Sequence, residues 1–227
     1  MIPLRDYIPT RRFPIVTVMF IVINVIVFAF QVLLDMAGQL EPFLYTFGVV
    51  PYLVTHAFDG LVAFSFISSM FMHGGLMHIV GNMLYLWIFG NNVEDDMGRL
   101  RFIIFYLLTG ILASLAQVMA DPNAKIPGIG ASGAIAGVLA AYLVRYPNAR
   151  IAALIPLGLF SRIAYVPAVI VLGFWFILQL LNGILSFGMS QTGGVAWFAH
   201  IGGFVAGLIL VWPFMVGRPR RTIIRYE

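Results

Sequence analysis

Six apolar segments, near 14–34, 76–92, 100–120, 132–145, 164–186 and 196–216, decide what this chain is able to fold into. About 20 apolar residues in a helix match the hydrocarbon thickness of a bilayer. Inside hydrocarbon every backbone N–H and C=O must be paired within the protein, which leaves helices as the natural spanning element for runs of this length. Only 10% of the residues are charged and 61% are hydrophobic, whereas a soluble domain carries about 25% charged residues. The expectation is an all-α membrane protein, built as one bundle of six transmembrane helices over residues 1–227.

The basic residues set the orientation. Arg5, Arg11 and Arg12 precede the first segment, and Arg99 and Arg101 follow the second. Arg145, Arg150 and Arg162 flank the connection after the fourth, and Arg218, Arg220, Arg221 and Arg225 follow the sixth. In a six-span topology all of these lie on one side, with only Lys125 on the other. The positive-inside rule then places both termini in the cytoplasm. Attraction to the anionic inner leaflet accounts for the pI near 9.6, so nucleic acid is not an expected partner. Cysteine is absent, which excludes disulfides. Arg5, Asp6, Arg11 and Arg12 lead into a long apolar run without a small-residue cleavage site, so no cleavable signal peptide is expected.

Residues 35–75 contain no Lys or Arg but carry Phe43, Leu44, Tyr45, Phe47, Phe58, Phe64 and Phe66. So many aromatics predict a segment set into the outer leaflet or packed on the bundle. His56, within it, reads as a surface residue.

The fourth segment is short. Ser132 to Arg145 is 14 residues, about 21 Å of helix against a core of about 30 Å. With Arg145 at the cytoplasmic face, Ser132 lies on the order of 10 Å below the outer surface. The stretch from Asp121 to Gly130 then dips inward as irregular backbone, which requires shelter or a cavity. Ser132, between Ala131 and Gly133, opens the helix where unpaired N–H groups and the positive dipole end meet. That place suits a hydroxyl nucleophile beside a developing oxyanion.

A nucleophilic serine needs a base, most often histidine. His200 lies near the outer end of the last segment, at the depth of Ser132. Ala199, Gly203 and Gly207 recur every fourth residue there, and Gly133, Gly137 and Ala141 do so in the fourth segment. Small residues at this spacing let membrane helices meet backbone to backbone, which makes Ser132 and His200 neighbours. The alternative is two plain packing stripes. His78 and Asn82, one helical turn apart on the second segment, share a face and are placed to stabilise an oxyanion. His73, just before them, reads as a structural hydrogen-bonding residue of the loop. No metal is expected, because His73 and His78 stand five apart without a carboxylate and no HExxH occurs. No cofactor is implied. Paired intramembrane aspartates are absent as well.

Three motifs in order, His73-Gly74-Gly75-Leu76-Met77-His78-Ile79-Val80-Gly81-Asn82, Gly130-Ala131-Ser132-Gly133 and Ala199-His200-Ile201-Gly202-Gly203, resemble the rhomboid family of intramembrane serine proteases. The likeness covers nearly the whole chain. It implies a Ser132–His200 dyad without an acidic third member, and an oxyanion site from His78, Asn82 and the Ser132 amide. It also implies cleavage of transmembrane substrates near their outer ends, often after a small residue. Gly130, Gly133, Gly203 and Gly207 fall in the motifs or helix stripes as structural support, as does His73. Glu94 resembles a structural carboxylate at the inner end of the second helix. The long first loop resembles the family's membrane-embedded loop, and the fifth helix with residues 187–195 resembles a mobile gate and cap. Two positions depart. Phe64-Ser65 stands where many rhomboids have Trp-Arg, and Ala136 stands where some have an aromatic that stacks on the histidine. The second departure predicts that His200 is held by fewer contacts.

The sequence therefore reads as an intramembrane serine endopeptidase, whose partners are transmembrane substrates and the lipid bilayer. A prokaryotic cytoplasmic membrane is the expected location, since the motif-bearing core carries no extra domain. The alternative is a rhomboid-like pseudoprotease that binds membrane segments without cutting them. A transporter fits less well, for want of midplane ionisable residues and a repeat.

Overall fold

The computed structural model describes residues 1–157, 160–186 and 195–218. After a short strand, β1 (Ile2–Asp6), the first apolar segment forms α1 (Ile15–Met36). Its N-cap residue is Pro14, whose missing N–H costs nothing at a helix start. Thr17, Phe20, Asn24 and Gln31 are its buried inner stripe, at spacings that keep them on one helical face. Two of these polar groups tie α1 to other parts of the chain. Thr17 donates through N–H and Oγ1 to Glu94, each at 2.8 Å, and Val16 N–H reaches the same carboxylate at 3.0 Å. Glu94 thus satisfies the open N–H groups of α1 and sits at the positive end of its dipole. At the other end, Gln31 clamps the main chain of His73, donating to its carbonyl at 3.1 Å and accepting from its N–H at 2.9 Å.

Residues 35–75 are built of short helices: α2 (Leu40–Phe47), α3 (Pro51–His56), α4 (Gly60–Ser68) and a 3-10 turn over Ser69–Phe71. The aromatics do pack. Phe43 lies 5.7 Å from Phe30 of α1 and 4.9 Å from Phe47, and Phe47 meets Phe64 edge-on at 6.5 Å. His56 is exposed and stacks on Tyr52. Ser65, at the first departure from the family pattern, is buried and bonds Val62 O within its own helix, while Phe64 is half exposed.

The second apolar segment runs further than expected. It comprises α5 (Leu76–Tyr85), a π-helical turn over Leu86–Gly90 and α6 (Asn91–Met97). The charged run after Val93 stays helical because two of its acids, Glu94 and Asp96, are buried with partners. Glu94 holds α1, and Asp96 pairs with Arg145 at 2.8 Å. Gly98, at φ 81°, ends the helix in a conformation that favours glycine, and α7 (Arg99–Ala120) follows.

α8 (Ser132–Arg145) is the centre of the bundle. Every residue from Gly133 to Tyr142 is buried, so no face of α8 is left for lipid along that stretch. It is surrounded by α5, α7 and the last two helices, α9 (Ala168–Ser186) and α10 (Trp197–Phe214).

The structure corrects the all-α expectation. β1 pairs antiparallel with β2 (Arg150–Leu157), which pairs with β3 (Phe160–Pro167). The fifth helix accordingly starts at Ala168 instead of 164. The reason lies in Pro167, which forces the residue before it toward extended backbone and cannot itself donate to a helix. Ile151 and Ala153 of β2 are fully buried, which fastens the sheet to the bundle. Asp6 of β1 adds a polar tie, accepting from Tyr142 Oη at 2.8 Å and Asn92 Nδ2 at 2.7 Å. Burial raises the Asp6 carboxyl to about 6, against the opposing effect of the Tyr142 hydrogen bond.

Among the described residues, four helices are each long and apolar enough to cross a bilayer: Ile15–Met36, Arg99–Ala120, Ala168–Ser186 and Trp197–Phe214. The pair Gly60–Phe71 and Leu76–Met97, bent by 80°, gives a fifth if it is one span. The chain is thus a mostly helical, multi-pass membrane protein.

Candidate active site

Ser132 is the first residue of α8, and its placement is set by the backbone before it. Gly128 and Val49 exchange main-chain hydrogen bonds at 2.8 and 3.0 Å, Tyr52 N–H reaches Ala124 O, and Gly130 N–H reaches Ser69 O at 2.9 Å. The irregular stretch 121–131 is therefore sheltered by residues 49–69, as its polar backbone demands. Gly130 has φ 128°, and a Cβ there would lie 2.9 Å from the His78 ring. Both features require glycine.

The two small-residue stripes meet. A Cβ on Gly203 would fall on the carbonyl oxygen of Gly133, and one on Gly207 on that of Gly137. Gly133 and Gly137 are closed on their other side by Ala113 and Thr109 of α7. Gln117 of α7 also accepts from Ala199 N–H at 3.2 Å, anchoring the first turn of α10.

With the helices in contact, Ser132 Oγ lies 2.8 Å from His200 Nε2. The other ring nitrogen, Nδ1, lies 2.7 Å from Gln179 Oε1 on α9. Both Ser132 and His200 are half-buried. Two tryptophans confine the imidazole: Trp175 of α9 at 5.8 Å and 33° between planes, and Trp197 edge-on at 6.3 Å. The position that carries an aromatic in some rhomboids is thus not the source of the aromatic surface here. Ala136 is small and fully buried, and the aromatic surface comes from the neighbouring helix α9.

His78 is exposed, with its ring against Gly130 and Gly74 N–H donating to its Nδ1 at 3.3 Å. That assignment leaves Nε2 as the protonated, donating nitrogen. Asn82 is buried one turn further along α5, and its Nδ2 has no hydrogen-bond partner among the described residues. A buried amide hydrogen without a partner is costly and calls for an explanation. His73 is buried, and its hydrogen bonds to Gln31 are made by its main chain, while its ring meets His78 edge-on at 5.1 Å. A cavity opens beside Ser132, lined by Ser69, Met70, Gln117, Gly130 and Ala199 among others. Among the described residues no three His, Asp or Glu side chains gather as a metal site would need. The expected cap, 187–195, lies outside the described residues except for Val195.

Comparison with known families decides what this arrangement belongs to. The Rhomboid domain matches residues 61–217, the part of the chain that holds all three motifs. The chain belongs to the rhomboid family. It is 30% identical over 157 residues to rhomboid-like protein 11, chloroplastic, of Arabidopsis thaliana, a match covering 66% of this chain and 51% of that protein. It is likewise 30% identical over 166 residues to presenilin-associated rhomboid-like protein A, mitochondrial, of Danio rerio, covering 70% of this chain and 40% of the relative. This rhomboid thus spans about half or less of those curated relatives.

Three side chains around the rhomboid's Ser132 and His200 escaped the sequence reading: Gln117, Trp175 and Gln179. The signal for two of them was available. Trp175 and Gln179 stand four apart on an apolar helix and so share a face, and a glutamine within such a span turns inward. Gln117, three residues from the end of α7, carries no comparable mark.

Proposed function

We propose that this rhomboid is an intramembrane serine endopeptidase that cuts transmembrane segments of other proteins near their outer ends. The observation that carries the proposal is the 2.8 Å hydrogen bond between Ser132 Oγ and His200 Nε2 at the start of a buried helix. Ser132 attacks the scissile carbonyl while His200 takes its proton, then returns it to the leaving amine; water completes the second half of the reaction by the same route. The oxyanion forms against the Ser132 N–H, at the positive end of α8, with His78 and Asn82 as further donors. The unpaired Nδ2 of Asn82 supports that role, because a donor left open in the resting protein is ready for the transition state. Each such donor is worth about 3 kcal/mol, or about 10²–10³ in rate.

In this reading the rhomboid domain occupies the whole chain as one unit. Six segments cross the bilayer, with α8 as the short central one and both termini on the arginine-rich cytoplasmic side. Lipid and transmembrane substrates are the partners, and nucleic acid is not. α9 is the helix that moves to admit substrate. The relatives are named chloroplastic and mitochondrial, which lends no support to the prokaryotic cytoplasmic membrane expected from the sequence.

A substrate helix hides its carbonyls in its own hydrogen bonds, so it must unwind locally before Ser132 reaches one. Single-span substrates with Gly or Pro near the outer end are therefore expected to be cut by the purified chain in detergent, and matched poly-Leu helices to be cut poorly. Ser132→Ala is expected to cut neither. Equal cleavage of both substrate types, or cleavage that survives in Ser132→Ala, would contradict the proposal.

A further inference from the structure

Gln179 belongs to α9, yet it completes a continuous chain of hydrogen bonds that ends at the Ser132 hydroxyl. A neutral imidazole has one nitrogen that donates and one that accepts, and only the accepting nitrogen is able to take a proton. Which nitrogen that is follows from Gln179. Its Nε2 donates to the carbonyl of Trp175 at 3.1 Å, one turn earlier on the same helix. The amide is thereby oriented with Oε1 facing His200, 2.7 Å from Nδ1. The reverse orientation would set Oε1 against a carbonyl oxygen and forfeit the hydrogen bond to Trp175. Since an amide oxygen only accepts, Nδ1 carries the hydrogen. The lone pair of Nε2 then faces Ser132 Oγ, 2.8 Å away.

We propose that Gln179 is a positioning residue that holds His200 in the Nδ1–H tautomer and so keeps Nε2 free to act as the base toward Ser132. The proposal rests on Ser132 and His200 being the reacting pair. An unconstrained neutral histidine favours the opposite tautomer, with the hydrogen on Nε2, where it has no lone pair for the serine. Gln179 is buried in a helix that is otherwise almost wholly apolar, a placement that is costly and usually tied to function. Trp175, one turn away, lies beside the face of the same ring. Together the two α9 residues fix both the plane of the imidazole and its tautomer. The amide carries no charge, so it does not stabilise the imidazolium as a carboxylate does. Its loss therefore costs less than the roughly 10⁴-fold seen when a triad's acid is neutralised and the tautomer goes wrong.

The arrangement has a consequence for gating. Ser132 and His200 stay together through the glycine contacts of α8 and α10, whereas Gln179 and Trp175 both ride on α9. A displacement of α9 unhooks the tautomer lock while the dyad stays assembled.

The test uses the full chain with Gln179→Met, which keeps the length and removes the acceptor, and Gln179→Glu, which restores an acceptor. Two readouts are taken. The first is kcat and KM on a helix-breaker substrate. The second is the ¹⁵N spectrum of labelled histidine, with His200 assigned by its loss in His200→Ala. Wild type is expected to show His200 protonated at Nδ1 and bare at Nε2. Gln179→Met is expected to mix the two tautomers and lower kcat measurably, by less than the roughly 10⁴-fold of a neutralised triad acid, with KM little changed, and Gln179→Glu to recover most of that loss. An unchanged tautomer in Gln179→Met overturns the proposal whatever the rate. A wild type that folds and never cleaves overturns the protease reading instead, and the tautomer readout still decides the role of Gln179.

Discussion

Removing Ser132 and His200 together is expected to cost no more rate than removing either alone, with each variant down by about 10⁴-fold or more. The reason is geometric. His200 Nε2 is 2.8 Å from Ser132 Oγ, so the base has no task once the hydroxyl is gone, and the hydroxyl is a poor nucleophile once the base is gone. Residues that act as one unit give non-additive losses. Asn82→Ala provides the contrast. A lost oxyanion donor lowers kcat by about 10²–10³, yet it leaves attack by Ser132 possible. The measurement is kcat for Ser132→Ala, His200→Ala and the double variant on one substrate. Additive losses from the two single changes would mean that His200 acts on some step other than activation of Ser132.

A valine at Gly203 is expected to break the structure before it touches the chemistry. Already the first carbon of a side chain there would land on the Gly133 carbonyl oxygen, with Ala113 Cβ 3.2 Å away. Backbone is not able to rotate aside as a flexible side chain does, so α8 and α10 must separate, and with them Ser132 and His200. Overpacking of this kind costs about 3 kcal/mol or more, which for a chain of this size lowers the melting temperature by roughly 10 °C. Gly173 on α9 is the control, because a Cβ there meets nothing within 4 Å. Gly173→Ala is expected to leave melting unchanged or slightly raised, since alanine favours the helix over glycine. Thermal unfolding in a fixed detergent compares the two. Equal melting of Gly203→Val and wild type would show that the glycine contact is not what joins these helices.

Most of the helical frame was legible because bilayer spans leave long, unbroken apolar runs. The bounds 132–145 and 100–120 match α8 and α7 to within a residue. The sheet was not legible. The stretch between the fourth and fifth segments reads as a connection that carries Arg150 and Arg162, and although Pro156 and Pro167 mark extended backbone, they do not say which strands pair. The second segment reads as ending at 92 because the apolar run stops before Glu94, Asp95 and Asp96. Their partners, Thr17 and Arg145, come from distant parts of the chain that only folding brings near. At the site, the glycine spacing was sufficient to bring Ser132 beside His200, since four-residue periodicity is a local property. Gln179 lies 21 residues from His200 on a different helix; that it turns inward is legible, but which side chain it meets follows from tertiary packing.

Labelling by a fluorophosphonate tests the serine chemistry without a substrate. Ser132 Oγ attacks phosphorus, fluoride leaves, and His200 takes the hydroxyl proton. Folded wild type is expected to carry one adduct, at Ser132, with none in Ser132→Ala and a rate lower by orders of magnitude in His200→Ala. A folded wild type that stays unlabelled at Ser132, or that labels equally fast without His200, would contradict the assignment of these two residues as nucleophile and base.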